Sequence, residues 1–242
     1  IESDAPLHPT QAAVIAREIC LALEHAHRGS VIHRDIKPTN VLVSKEGNLK
    51  VTDFGVAKDE TARDQTHVGT LIGTPCYMSP EQAAGGSLTS QSDIFSVGIV
   101  LYELVTGVKP FWGETAESII GKIARGKYRS PLWLDPHHSI RLARIINKAL
   151  RKHLGRRYRS AGQLARDLEK FAGWKNVARS QDILKTLVAK AMSKKHATTV
   201  IRRNKTVKKR TRKKRSMFSL YVLLFFVVAT FIYVLFSVFG GK

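Results

Sequence analysis

The sequence predicts a mainly α-helical domain with a small β-hairpin, followed by a basic linker and one membrane-spanning helix. Three observations carry this. Apolar residues recur at helical spacing in several stretches of ten to twenty residues, beginning with Ile15, Ile19, Leu23 and Ala26. Only Val41-Leu42-Val43 and Leu49-Lys50-Val51 read as strands, around the turn Glu46-Gly47-Asn48. Near the end, residues 217–239 form an uncharged apolar run long enough to cross a bilayer at 1.5 Å per residue.

Taken in order, residues 1–7 read as a linker. Thr10 to His27 reads as a helix, with Thr10 as its cap and Gly29 ending it in a left-handed residue. Val31-Ile32 is expected as a short strand before His33. The hairpin then brings Asn40 near Asp53. Residues 56–79 are polar and aperiodic, a loop of the length that usually serves function. Ser92 to Thr106 is apolar nearly all round and too short for a membrane, so it predicts a buried core helix ended by Gly107. Further helices are expected over residues 115–125, 139–150 and 161–171, the last with a capping box at Ser160 and Gln163. Gln181 to Met192 allows one more amphipathic turn or two.

Composition narrows the function. Forty Lys and Arg against nineteen Asp and Glu give a formal net charge of +21, which points to nucleic acid or an anionic membrane unless the charge is local. It is local, since residues 194–215 hold about a dozen cations and no acid. That stretch cannot bury enough apolar area to fold and is expected to be disordered. It lacks the interleaved aromatics that stack on bases, so no nucleic-acid partner is expected. Its place beside residues 217–239 suits anionic lipid. Two cysteines, Cys20 and Cys76, make neither a disulfide framework nor a metal spacing and fit a reducing compartment.

The chemistry sits in His33-Arg34-Asp35-Ile36-Lys37-Pro38-Thr39-Asn40 and Asp53-Phe54-Gly55. An Asp, a Lys and an Asn in fixed order, then a second Asp one hairpin later, match the pattern of a phosphoryl-transfer site. Such transfer is catalysed mostly by positioning and charge neutralisation. Asp35 is then the group that accepts the proton of, or orients, the attacking hydroxyl, and Lys37 the cation beside the transferring phosphoryl group. Asn40 and Asp53 offer the hard oxygens that Mg2+ prefers. His33 has no second His at ligand spacing and is expected to pack behind the loop.

From Thr10 to Phe171 the chain resembles the C-terminal lobe of a Ser/Thr protein kinase. The match runs through H-R-D-I-K-P-x-N, D-F-G-V-A-K, G-T-P-x-Y-M-S-P-E-Q and S-D-I-F-S-V-G. Ser79-Pro80-Glu81-Gln82 together with the apolar run is most similar to bacterial receptor-type kinases of the eukaryotic-like kind. The resemblance implies a kinase-like lobe over residues 1–175, a basic juxtamembrane linker over 176–215 and a transmembrane helix over 217–239. It implies ATP and Mg2+ as cofactors and protein Ser/Thr hydroxyls as acceptors, Lys37 and Thr74 arguing against Tyr. It also implies an activation loop phosphorylated at Thr66 or Thr70 with Arg34 pairing the phosphate, Thr74 in the substrate loop, Asp93 bracing the catalytic loop, and Arg157 buried against Glu81.

Phe95 replaces the family's usual Trp, and His153-Leu154 its usual Asp-Pro. No Gly-rich loop, V-A-I-K lysine or partnering Glu helix is found, so an ATP-binding lobe is expected upstream of Ile1 and the chain by itself is expected to be inactive. The positive-inside rule places the lobe at the cytoplasmic face of the inner membrane. A pseudokinase or membrane scaffold is the alternative; four intact site residues argue against it. Oligomeric state is left open, with a homodimer among the options.

Overall fold

A computed structural model describes residues 5–54, 75–135 and 139–194. The predicted transmembrane run, the basic stretch 195–215 and Gly55, Thr66, Thr70 and Thr74 lie outside the described residues. Among the described residues no helix is long and apolar enough to cross a membrane. The chain divides into compact units at residues 1–191 and 192–242.

The first unit holds the helices α1 (Pro9–Arg28), α2 (Pro80–Ala83), α3 (Ser90–Thr106), α4 (Ala116–Arg125), α5 (Pro131–Leu134), α6 (Ile140–Ala149), α7 (Ala161–Ala172) and α8 (Trp174–Ala178). Its strands β1 (Val41–Val43) and β2 (Leu49–Val51) pair antiparallel with Val41 opposite Val51.

The core is built around α3, where thirteen residues, Asp93 among them, are buried. Thr89 and Ser92 form a reciprocal capping box at its start, and Gly107 closes it at φ 75°, a region open to glycine without steric cost. Gly98 lets α6 approach, since a Cβ there would stand 2.9 Å from that of Ala149. Against α3 packs α1, burying Ala12, Ile15, Ile19 and Leu23, and α7 lies along α1 with Leu164 and Leu168 inside.

Several local expectations change. The cap of α1 is His8, whose ring accepts from the Thr10 N–H; Thr10 itself is helical because Pro9, with no N–H to lose, opens the helix. Gly29 has φ −83° and the left-handed residue is Ser30 at φ 60°. Val31-Ile32 forms no strand, the Val31 N–H turning back to the Ala26 carbonyl. At α7 the Ser160 hydroxyl accepts from Gln163 N–H, but the Gln163 side chain accepts from Arg159 N–H instead of Ser160. A reciprocal box of the Ser and Gln kind forms instead between Ser79 and Gln82 at α2. Finally, residues 176–178 belong to α8 and 180–194 are helical, with Leu184 buried and Ile183 and Leu187 against the core. The linker expected from residue 176 therefore begins with packed chain.

Candidate active site

Two helices and a hairpin position the catalytic loop. α1 delivers the chain to it, and the buried Asp93 in the first turn of α3 captures its backbone. Asp93 Oδ2 accepts from the N–H of His33 (2.9 Å) and Oδ1 from that of Arg34 (2.9 Å). Arg34 needs such restraint, because it sits at φ 69°, where a side chain other than glycine is strained. The Gln82 amide completes the hold by donating to the Arg34 carbonyl (2.6 Å).

His33 joins the loop to the segment that carries Asp53. Its Nε2 donates to the Thr52 carbonyl (2.8 Å), which makes Nδ1 the acceptor of the Asp35 N–H (3.3 Å). Both ring nitrogens are thus committed inside the protein, and the ring, fully buried, lies 4.6 Å from that of Phe54. This arrangement leaves no ring nitrogen for a metal.

Asp35, Lys37 and Asn40 converge. Lys37 Nζ donates to Asp35 Oδ2 (2.8 Å), and Asn40 Nδ2 donates to the Asp35 carbonyl (2.9 Å) and to Oδ2 (3.2 Å). Both side-chain contacts fall on Oδ2, so among the described residues Oδ1 is the oxygen left for an incoming group. The Asp35 side chain is half exposed, whereas Ile36 and Pro38 around it are buried and anchor the loop. The hairpin register continues one step past β1 and β2: Thr52 N–H donates to the Asn40 carbonyl (2.9 Å). Asn40 therefore stands opposite Thr52, and Asp53 follows one residue beyond that pair. Asp53 is exposed and left-handed at φ 59°.

A buried ion pair braces α2. Arg157 donates to both oxygens of Glu81 (2.9 and 3.2 Å) and to the carbonyls of Gln91, Arg151 and Lys152. Burial pushes the Glu81 carboxyl up, but the hydrogen bonds from Arg157 and Ser92 and the Arg157 charge outweigh it, and the net direction is down.

Sequence reasoning passed over His27. In the last turn of α1, its Nε2 donates to Asp93 Oδ2 (2.8 Å), adding a third donor to the carboxylate that holds the loop. The signal available was a His ending a helix six residues before His33, where it reads as an ordinary C-terminal cation. Gln82 acts beyond its place in the Ser-Pro-Glu-Gln run, its amide bonding both the Ser79 N–H and the Arg34 carbonyl.

A family model described as protein kinase domain matches residues 1–168. The chain belongs to the protein kinase family. Serine/threonine-protein kinase PrkC of Bacillus subtilis is 38% identical over 244 residues, covering 95% of this chain and 38% of PrkC. A probable serine/threonine-protein kinase PknB of Lactococcus lactis is 41% identical over 168 residues, 69% of this chain and 27% of that protein. PknB of Mycobacterium tuberculosis is 35% identical over 170 residues, with the same shares. The chain thus spans 27% to 38% of the length of these relatives. Among solved structures, Rad53 residues 1–466 in complex with AMP-PNP superposes with a TM-score of 0.56 at 26% identity, over 68% of this chain and 41% of that one. The mainly helical kinase fold with a hairpin at the site rests on these matches and on the elements α1 to α8, β1 and β2.

Proposed function

We propose that this chain carries the catalytic residues of a membrane-anchored Ser/Thr protein kinase, which transfers the γ-phosphoryl group of ATP to protein Ser or Thr hydroxyls. The observation that carries the reading is the convergence of Lys37 and Asn40 on one oxygen of Asp35, with Asp53 one rung away. The relatives are named as Ser/Thr kinases and the Rad53 structure holds a nucleotide analogue, which supports the same chemistry here.

Asp35 Oδ1 accepts the proton of the incoming hydroxyl, while Lys37 and Asn40 fix the carboxylate through Oδ2. The Lys37 side chain is 35% exposed, so its charge is available to the phosphoryl oxygens. The Asn40 amide nitrogen is spent on Asp35, and its Oδ1, which accepts from the Thr39 hydroxyl (3.4 Å), would supply one hard oxygen, with the exposed Asp53 carboxylate supplying the other. That donor set fits Mg2+, which takes one or two protein oxygens and fills the rest of its shell with water and phosphate. When bound, the ion supplies neutralisation of phosphate charge.

The finer parts of the reading rest on sequence. The 95% coverage of this chain by PrkC, against 69% for the other relatives, supports a shared tail beyond the domain. In our reading residues 217–239 anchor the protein in the inner membrane with the kinase region cytoplasmic, and the basic segment meets anionic lipid. Thr66 or Thr70 takes a regulatory phosphate that Arg34 pairs, and Thr74 is assigned to the substrate loop.

Asp35→Asn in the full-length protein tests the catalytic claim. Transfer from labelled ATP should fall by about two to four orders of magnitude, with melting unchanged. A mutant at wild-type turnover would sink the assignment and favour a scaffold.

A further inference from the structure

We infer that a cationic groove on α6, remote in sequence from the catalytic loop, is a docking site for a phosphorylated segment of a partner protein. Arg144 and Lys148 lie one turn apart on α6 and share a face, and Arg151, just past the end of the helix, and Arg156, from the turn Leu154–Arg156, join them. With Asn147 they line a surface hollow of about 540 Å³. All four cations are exposed, no acid lines the hollow, and none of them makes an ion pair among the described residues.

The arrangement is held from beneath. Arg157 donates to the carbonyls of Arg151 and Lys152, fixing the backbone that presents Arg151 and Arg156. Lys148 Nζ rests 4.1 Å above the ring of the buried Tyr158, so its charge is placed before any ligand arrives. The Asn147 carbonyl accepts from Tyr128 OH (2.9 Å), which leaves its NH2 as a neutral donor. Like charges crowded on one helix face repel, and a counter-anion relieves this.

The chemistry selects phosphate. Three guanidinium forks match tetrahedral oxygens in pairs, with one ammonium as a point charge. A second hollow of about 420 Å³ shares Asn147, Arg151 and Arg156 and adds Tyr128, Ser130 and Leu150. That hollow also carries Arg125, Lys152 and His153, so the two together present a mainly basic surface, which suits a phosphate and acidic or hydroxyl residues flanking it on an extended segment. Nucleic acid is disfavoured because the lining aromatic Tyr128 is half-buried and hydrogen-bonded to Asn147, which leaves no open ring face for a base. A lipid surface is disfavoured because the site is concave. Choosing a phosphoprotein among phosphate carriers rests on the proposed function, whose products bear that group. Arg157 also clamps Glu81, so the groove and the brace of α2 share one buried residue.

The test reads binding, without ATP, so a failure of catalysis leaves it intact. Full-length protein in detergent is titrated by anisotropy with a peptide pool that is degenerate around a fixed phosphothreonine, and with the same pool bearing Thr. The phosphorylated pool should bind at least about tenfold tighter, as charge-assisted contacts require. The variant Arg144→Gln/Arg151→Gln/Arg156→Gln should lose that preference, and Arg156→Gln alone should weaken it if the triple variant misfolds. Co-sedimentation with anionic vesicles should be unchanged by these substitutions. Equal affinity for the two pools overturns the proposal, as does a preference that survives the substitutions. Loss of vesicle binding in the variants assigns the groove to lipid, and displacement of the peptide by equimolar inorganic phosphate makes it a plain anion site; either result also overturns the inference.

Discussion

Arg157 shows how one residue ties the fold to the site. Its side chain has no exposed surface, and it lies 4.9 Å from the Phe95 ring while bonding Glu81 with both nitrogens. A buried charge with this many partners is costly to orphan. Glu81→Gln should therefore lower stability by about 3 kcal/mol at neutral pH. The pH dependence has a definite sign. The Glu81 carboxyl titrates below its ordinary value in the folded protein, so its contribution is full above the ordinary carboxylate range and is lost as pH falls through the lowered value. Melting temperature should be flat from neutrality to about pH 5 and drop below it. In Glu81→Gln the melting temperature should start lower and drop less steeply. Parallel curves for the two proteins would show that the acid sensitivity comes from elsewhere.

At the scale of elements, the hairpin is the part that places Asn40 and Asp53, the proposed Mg2+ ligands. Its turn residue Gly47 has φ 85°, and a Cβ there would overlap the Gln181 carbonyl oxygen from the helical segment 180–194. Gly47→Ala should cost about 1–3 kcal/mol, from left-handed strain and from the displaced neighbour. Hydrogen exchange should report the loss in both the hairpin and residues 180–194. Protection lost in the hairpin alone would break the claimed link. The contact was invisible in sequence, because it joins residues 134 positions apart (181 − 47). What sequence did carry was period and punctuation. The all-apolar α3, the two strand runs and Gly107 could be read directly, since burial and backbone permission leave marks in residue type. Short helices such as α2 and α5, made by Pro80 and Pro131 at their first positions, left no periodic mark. Nor did the shift of the left-handed residue from Gly29 to Ser30. The candidate site was legible as a motif, yet its supports His27 and Gln82 were not, because each acts through a tertiary contact.

Over the whole molecule, charge is sorted by place. The excess that gives +21 includes the dense run at residues 202–215 and the separate groove on α6, and we assign these two surfaces different partners. The run is a linear array beside an apolar segment, so it should follow simple membrane electrostatics, at about 1 kcal/mol per cation close to anionic lipid. A chain ending at Arg215 should bind vesicles containing anionic lipid at low salt and neutral vesicles poorly. Raising salt from about 0.1 M to 1 M shortens the screening length from about 10 Å to about 3 Å and should release the protein. The Arg144, Arg151 and Arg156 substitutions should leave this release curve in place, whereas replacing the basic residues of 202–215 by Gln should abolish binding at every salt concentration. Equal binding to neutral and anionic vesicles would rule out the electrostatic account and move the membrane contact to apolar surface.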